Sequence, residues 1–147
     1  MDAEEFQRFA LATVKGGRPV DCRVAISRAY YAIFNVAGDL LRSAGCPIGF
    51  GADAHGKVPQ HLLSVVADPA VAKAGSWIGE MKGVRNKADY RMSDTLIEYA
   101  PTAELWVREA GHHIAALKTA FAGANRASIL ADLRSYEAKM QPGYRPP

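Results

Sequence analysis

The longest unbroken helical period in the chain runs from Asp21 to about Ala44, and two stop signals, Gly45 and Pro47, close it. A stretch of about six turns is far longer than an ordinary strand, so whatever fold forms is organised around this rod. Asp21 fits the N-cap position, because its carboxylate can accept from a free first-turn N–H. Along the rod Val24, Ser27, Tyr31 and Phe34 form one seam, and Ile26, Tyr30, Ile33, Ala37 and Leu40 form a neighbouring one. The two merge into a broad apolar face, which predicts a central helix. The remaining stripe, Arg28, Ala32, Asn35, Asp39 and Arg42, reads as the polar side, so Arg28 is expected to face solvent or a partner.

The same three-and-four spacing recurs on both sides of this rod. Phe6, Phe9, Ala10 and Val14 predict a helix over 2–15, ended by Gly16, Gly17 and Pro19. After a Gly-rich connection, Asp53 or His55 starts a short helix carrying Val58, Leu62, Leu63 and Val66. Asp68-Pro69 opens a long helix through Val71, Trp77, Ile78, Met81, Val84 and Ala88. Residues 91–100 have no clean period. Pro101 starts another helix, with Leu105, Trp106, Ala110, Ile114, Leu117 and Phe121 expected to face inward, and Ile129, Leu130, Leu133 and Tyr136 mark a last one near 126–139. No strand alternation and no internal repeat occurs. The expectation is an all-α, antiparallel up-and-down bundle of about five to six helices with two long central helices. Residues 1–140 form one domain, and 141–147 form a flexible, Pro-rich tail.

Composition bounds the partners less tightly than the fold. A hydrophobic share of 49% with 22% charge is ordinary for a globular domain, and no apolar run approaches the roughly 18 residues of a membrane span. The N-terminus carries Asp2, Glu4 and Glu5 instead of a basic stretch before an apolar one, so no secretory signal is expected and the address is cytoplasmic. Cys22 and Cys46, about 36 Å apart along one helix, are expected to be free thiols. A net charge of +3 does not by itself announce a nucleic-acid binder.

Two segments carry most of the chemistry. Arg85-Asn86-Lys87-Ala88-Asp89-Tyr90 sets two cations, an amide, a carboxylate and a phenol side by side, with Lys82, Arg85, Asn86 and Asp89 on one side of a helix. Ser27-Arg28-Ala29-Tyr30-Tyr31-Ala32-Ile33-Phe34 is the second. Arg28 and Arg85 each present a planar fork suited to phosphate or carboxylate, and their convergence would make an anion pocket. The alternative is that Asp89 pairs with Arg85, and Asp39 with Arg42, in surface ion pairs of about 0.2–0.5 kcal/mol each. Tyr30, Tyr31 and Tyr90 are suited to stacking on bases or to filling core, and for Tyr30 the core reading is preferred.

Among the histidines, His55 is the best candidate for a general base, since Gly56 and Lys57 follow it at a helix start where backbone N–H groups favour anions. His61 reads as a surface residue. His112 and His113 point about 100° apart on a helix and cannot chelate together from it. No metal site, cofactor loop, serine elbow or paired-cysteine motif is indicated.

Ser27-Arg28-Ala29-Tyr30-Tyr31-Ala32-Ile33-Phe34, then His55-Gly56-Lys57-Val58, then Val84-Arg85-Asn86-Lys87-Ala88-Asp89-Tyr90, resemble in order and spacing the signatures of the prokaryotic HEPN superfamily, in its subfamily of small stand-alone proteins. The resemblance covers about residues 20–120. It implies a bundle of four or five helices that usually dimerises through the long central pair. Many such proteins are metal-independent ribonucleases of toxin–antitoxin, CRISPR-linked or abortive-infection systems, often beside a small nucleotidyltransferase that serves as antitoxin. Others are inactive partners that bind RNA or a nucleotide. The resemblance therefore implies catalytic roles for Arg85, Asn86, Tyr90 and His55, and binding roles for Arg28, Tyr31, Lys57, Lys82 and Asp89. The family's nuclease pattern has a histidine after its arginine with four to six residues intervening. Here Tyr90 stands first in that window, followed by Arg91 and Met92, so that histidine is absent, and the Ala-Asp-Tyr ending matches the small subfamily instead.

Overall fold

The computed structural model describes residues 1–146; Pro147, the last residue of the expected tail, lies outside them. Among the described residues there are six α-helices and no strand: α1 (Glu4–Thr13), α2 (Pro19–Ser43), α3 (Ala54–Leu63), α4 (Pro69–Tyr90), α5 (Ala100–Ala122) and α6 (Arg126–Met140). The long helices α2, α4 and α5 pack as a bundle, with α1 against α2 and α5, and α3 against α4. None of the described helices is long and apolar enough to cross a membrane.

Helix α2 is the centre because small residues let its neighbours approach. Cys22, Ala25, Ala29, Ala32 and Ala37 are all fully buried between the bulkier Ile26, Tyr30, Ile33 and Leu41. Ala32 therefore does not belong to a polar stripe as the sequence suggests; of that stripe only Asp39 is exposed, and Arg28, Asn35 and Arg42 are half-buried. Asp21 also differs from its expected place. Pro19 takes the first helical position, its fixed φ suiting a helix start, and Asp21 lies in the first turn, where its carboxylate accepts from the Arg18 backbone N–H at 3.2 Å. Gly17 and Gly45, at φ 69° and 88°, end α1 with its trailing 3-10 turn and α2 in the left-handed region that side chains avoid.

Asp68 caps α4 as expected, accepting from the Ala70 N–H at 3.0 Å. The inward stripe of α5 runs through Ala103, Val107, Ala110, Ile114, Leu117 and Phe121. That stripe puts Leu105 on the outside, 56% exposed, contrary to expectation, because two residues past Ala103 is about 200° around the helix. Helix α6 is lightly attached. It buries only Ile129 and Leu133, and Asp132 fastens it by accepting from the Val66 and Ala67 N–H groups at 2.8 Å each.

Candidate functional site

The two chemistry-rich segments meet. Arg23, Ser27 and Tyr31 recur every four residues on one face of α2, and all three reach the C-terminal half of α4. Ser27 Oγ donates to Asp89 Oδ2 at 3.3 Å, and Arg85 donates to the Tyr31 hydroxyl at 2.5 Å. Arg85 Nε lies 2.7 Å from Asp89 Oδ2, with its N–H directed off the carboxylate, so the contact is an ion pair and not a hydrogen bond. A further Arg85 N–H donates to Asn86 Oδ1 at 3.2 Å.

Around this cross-link stand several aromatic rings. The Arg85 guanidinium carbon is 5.1 Å from the Tyr31 ring centre, 5.8 Å from Tyr30 and 5.6 Å from Tyr90, while that of Arg28 is 5.5 Å from Tyr31. Both arginines thus lie within cation–π range of one ring. Tyr90 is 71% exposed and offers its own ring to solvent. His55, from the first turn of α3, stacks on Phe34 with ring centres 4.1 Å apart and shares a 2.6 Å hydrogen bond through Nδ1 with the Tyr30 hydroxyl. Burial, then the charges of Lys82 and Arg85, hold the His55 pKa below its ordinary value. Burial pushes the Tyr30 phenol well above its own, so it stays protonated. Tyr30 is fully buried, as preferred from the sequence.

Seven of the residues expected at the site are therefore linked by these contacts: Arg28, Tyr31, His55, Arg85, Asn86, Asp89 and Tyr90. Lys82 joins them through its field at His55. Lys57 does not, since its ammonium pairs with Asp53 at 2.7 Å. Arg28 and Lys82 make no ion pair among the described residues, while Arg85 is paired with Asp89.

Sequence reasoning missed Arg23. Only 8% exposed, it donates through Nε to Glu98 at 2.6 Å and through its other nitrogens to the carbonyls of Lys87, Ala88, Arg91, Met92 and Asp94. A helix end leaves its last carbonyls without intrahelical donors, and one guanidinium here serves two of them, Lys87 and Ala88, together with three carbonyls just beyond the helix. Arg23 is thus the C-terminal cap of α4, supplied by α2, and it fixes the backbone that carries Asp89 and Tyr90. His61 is the second correction. It is buried, its Nδ1 bonded to the Lys57 carbonyl at 2.7 Å and its Nε2 against Glu137.

His113 is also buried, its ring 5.0 Å from Trp77, and its Nε2 has no partner among the described residues. Burial is the main cause holding its pKa down, with Lys73 and His112 adding to this and Glu109 opposing. Above the ordinary imidazole pKa of about 6.5, folded and unfolded chains are both neutral at His55 and His113; below it the unfolded chain takes up protons that the folded one resists. Stability is therefore expected to fall as pH drops through about 6.5 and to level off below the folded pKa values. Thermal melts at about pH 7, 6 and 5 measure this, and His113→Phe should flatten part of the slope.

Comparison with protein-family models, with curated proteins and with solved structures gives no match.

Proposed function

We propose that this chain is a HEPN-like helical protein that acts as a homodimer and binds RNA or a nucleotide through the surface formed by Arg28, Tyr31, Arg85, Asn86 and Tyr90, as a component of a toxin–antitoxin or defence system. The observation that carries this reading is the Tyr31 ring within cation–π range of two guanidinium groups, with the exposed Tyr90 ring beside one of them. Guanidinium forks match phosphate oxygens, and exposed aromatic faces accept bases without sequence preference. A mostly apolar groove of Met1, Phe6, Phe9 and Val24, with Glu5 and Arg28 in its lining and Phe9 54% exposed, supports a second copy seated next to the binding surface. The nucleotidyltransferase partner rests on the sequence resemblance alone.

A second reading, metal-independent cleavage of RNA, has one observation in its favour. His55 and Arg85 flank the same Tyr30 ring, so a neutral imidazole and a guanidinium share one neighbourhood. In such a reaction the imidazole, in the tautomer whose Nδ1–H donates to the Tyr30 hydroxyl oxygen, would take the proton of the attacking hydroxyl on Nε2 while Arg85 stabilises charge on the phosphate.

One assay separates the readings. A labelled single-stranded RNA titrated with the full chain in EDTA should bind with an affinity that falls as salt rises. Arg28→Ala and Arg85→Ala should each lower the salt slope by about one. Arg28 has no hydrogen bond or ion pair to lose among the described residues, so its variant should melt close to the unsubstituted protein. Affinity flat in salt would overturn the binding reading. RNA cleavage that His55→Asn abolishes would establish the second.

A further inference from the structure

A second group of chemically active side chains shares no residue with the aromatic–arginine surface. Cys46 lies just beyond α2, His61 on α3 and Glu137 on α6, and one potential ligand atom from each lies within 4.8 Å of the others. Cys46 and His61 are both more than nine-tenths buried. The hydrogen bonding around His61 fixes what it can do. Its Nδ1 faces the Lys57 carbonyl, which only accepts, so Nδ1 carries a hydrogen and Nε2 is left with a lone pair. That lone pair is aimed at a carboxylate oxygen of Glu137, also an acceptor. Two acceptors held face to face need positive charge between them, either a proton on His61 Nε2 or a bound cation, and the Cys46 sulfur within reach of both groups favours the cation. The nearby ammonium of Lys57 is already engaged by Asp53.

A histidine whose far nitrogen is tied to a backbone carbonyl is in the arrangement that orients metal ligands, and thiolate, imidazole and carboxylate together are a donor set suited to zinc. We propose that Cys46, His61 and Glu137 bind one divalent ion of the zinc class, which fastens α6 to α3 and to the end of α2. To admit the ion the Glu137 carboxylate withdraws slightly from His61, and its side chain, 28% exposed, is free to do so. Open grooves on both sides of Glu137, one lined by Cys46, Pro47 and Arg134 and the other by Gln60, His61 and Tyr136, give water access to a fourth position. The role is structural. It adds a tie at α6, which buries only Ile129 and Leu133.

The full chain, stripped of metal, is titrated with Co2+ and separately with Zn2+. One equivalent of Co2+ should produce a thiolate-to-cobalt charge-transfer band that Cys46→Ser removes and Cys22→Ser keeps. Zn2+ at about a hundredfold excess over its Kd should raise the melting temperature by about 5–10 °C. Glu137→Gln should reduce that rise while leaving the metal-free protein folded. No charge-transfer band, or one that survives Cys46→Ser, overturns the site. RNA binding by the Arg28 surface should be insensitive to Cys46→Ser, so failure of either proposal leaves the other standing.

Discussion

Arg23→Met is expected to lower folding stability by about 3–5 kcal/mol and the melting temperature by about 10 °C. The substitution keeps most of the side-chain volume but removes the guanidinium donors to the Lys87 and Ala88 carbonyls of α4 and to the chain just beyond it. It also leaves Glu98, 20% exposed, as a partly buried carboxylate without its counter-ion. Breaking a buried pair from one side costs more than the pair contributes, because the remaining charge stays desolvated. Arg23→Met combined with Glu98→Leu should therefore recover part of the loss, and thermal melts of the two single variants and the double variant measure the coupling. Arg23→Lys should not rescue, since a point ammonium cannot span carbonyls from Lys87 to Asp94. If Arg23→Met melts with the unsubstituted protein, the cap is incidental. Should it melt early, RNA binding should weaken with it, because the same α4 end carries Asp89 and Tyr90.

Gly75→Val should destabilise by about 3 kcal/mol or more, and even Gly75→Ala by about 1–3 kcal/mol, although alanine is the better helix former by about 1 kcal/mol. A Cβ at Gly75 would sit 2.9 Å from Leu62 Cβ, the Leu63 nitrogen and the Pro59 oxygen. Two of those three atoms are backbone and cannot rotate away. Helix α3 would have to retreat from α4, carrying His55 from its place on Phe34 and Tyr30. Gly79 and Gly83, on the same helix, have nothing within 4 Å of a built Cβ. Alanine at either should stabilise by about 0.5–1 kcal/mol. Urea unfolding of the three alanine variants is the measurement, and a Gly75→Ala gain equal to the Gly79→Ala gain would exclude close α3–α4 packing.

Helix positions were legible because glycine and proline punctuate the chain at almost every boundary, and Asp68-Pro69 gave the start of α4 to the residue. The meeting of the two chemistry-rich segments was partly legible, since a four-residue spacing on α2 matches one on α4. Three of the misreadings share one cause. Arg23, His61 and Ala32 each take their environment from elements distant in sequence, and a charged or polar residue within a periodic helix looks solvated until its partner arrives. Glu98 lies 75 residues from Arg23, and Glu137 lies 76 from His61. Donors so widely separated form no compact ligand motif, so the Cys46–His61–Glu137 group is invisible to spacing rules. Leu105 failed for a local reason, a stripe whose axis is set by Ala103 and Val107 and not by the larger residues beside them.

The burial of α2 has a consequence for how this chain is made. Its apolar circumference is covered from several directions, and one wall, α5, is complete only about 80 residues after Ser43. At about 5–20 residues per second, a ribosome leaves that flank bare for about 4–16 s before Ala122 is polymerised. During that interval the nascent rod carries Ile26, Ile33 and Leu41 with an incomplete sheath, so synthesis itself creates a window for chaperone capture or premature self-association.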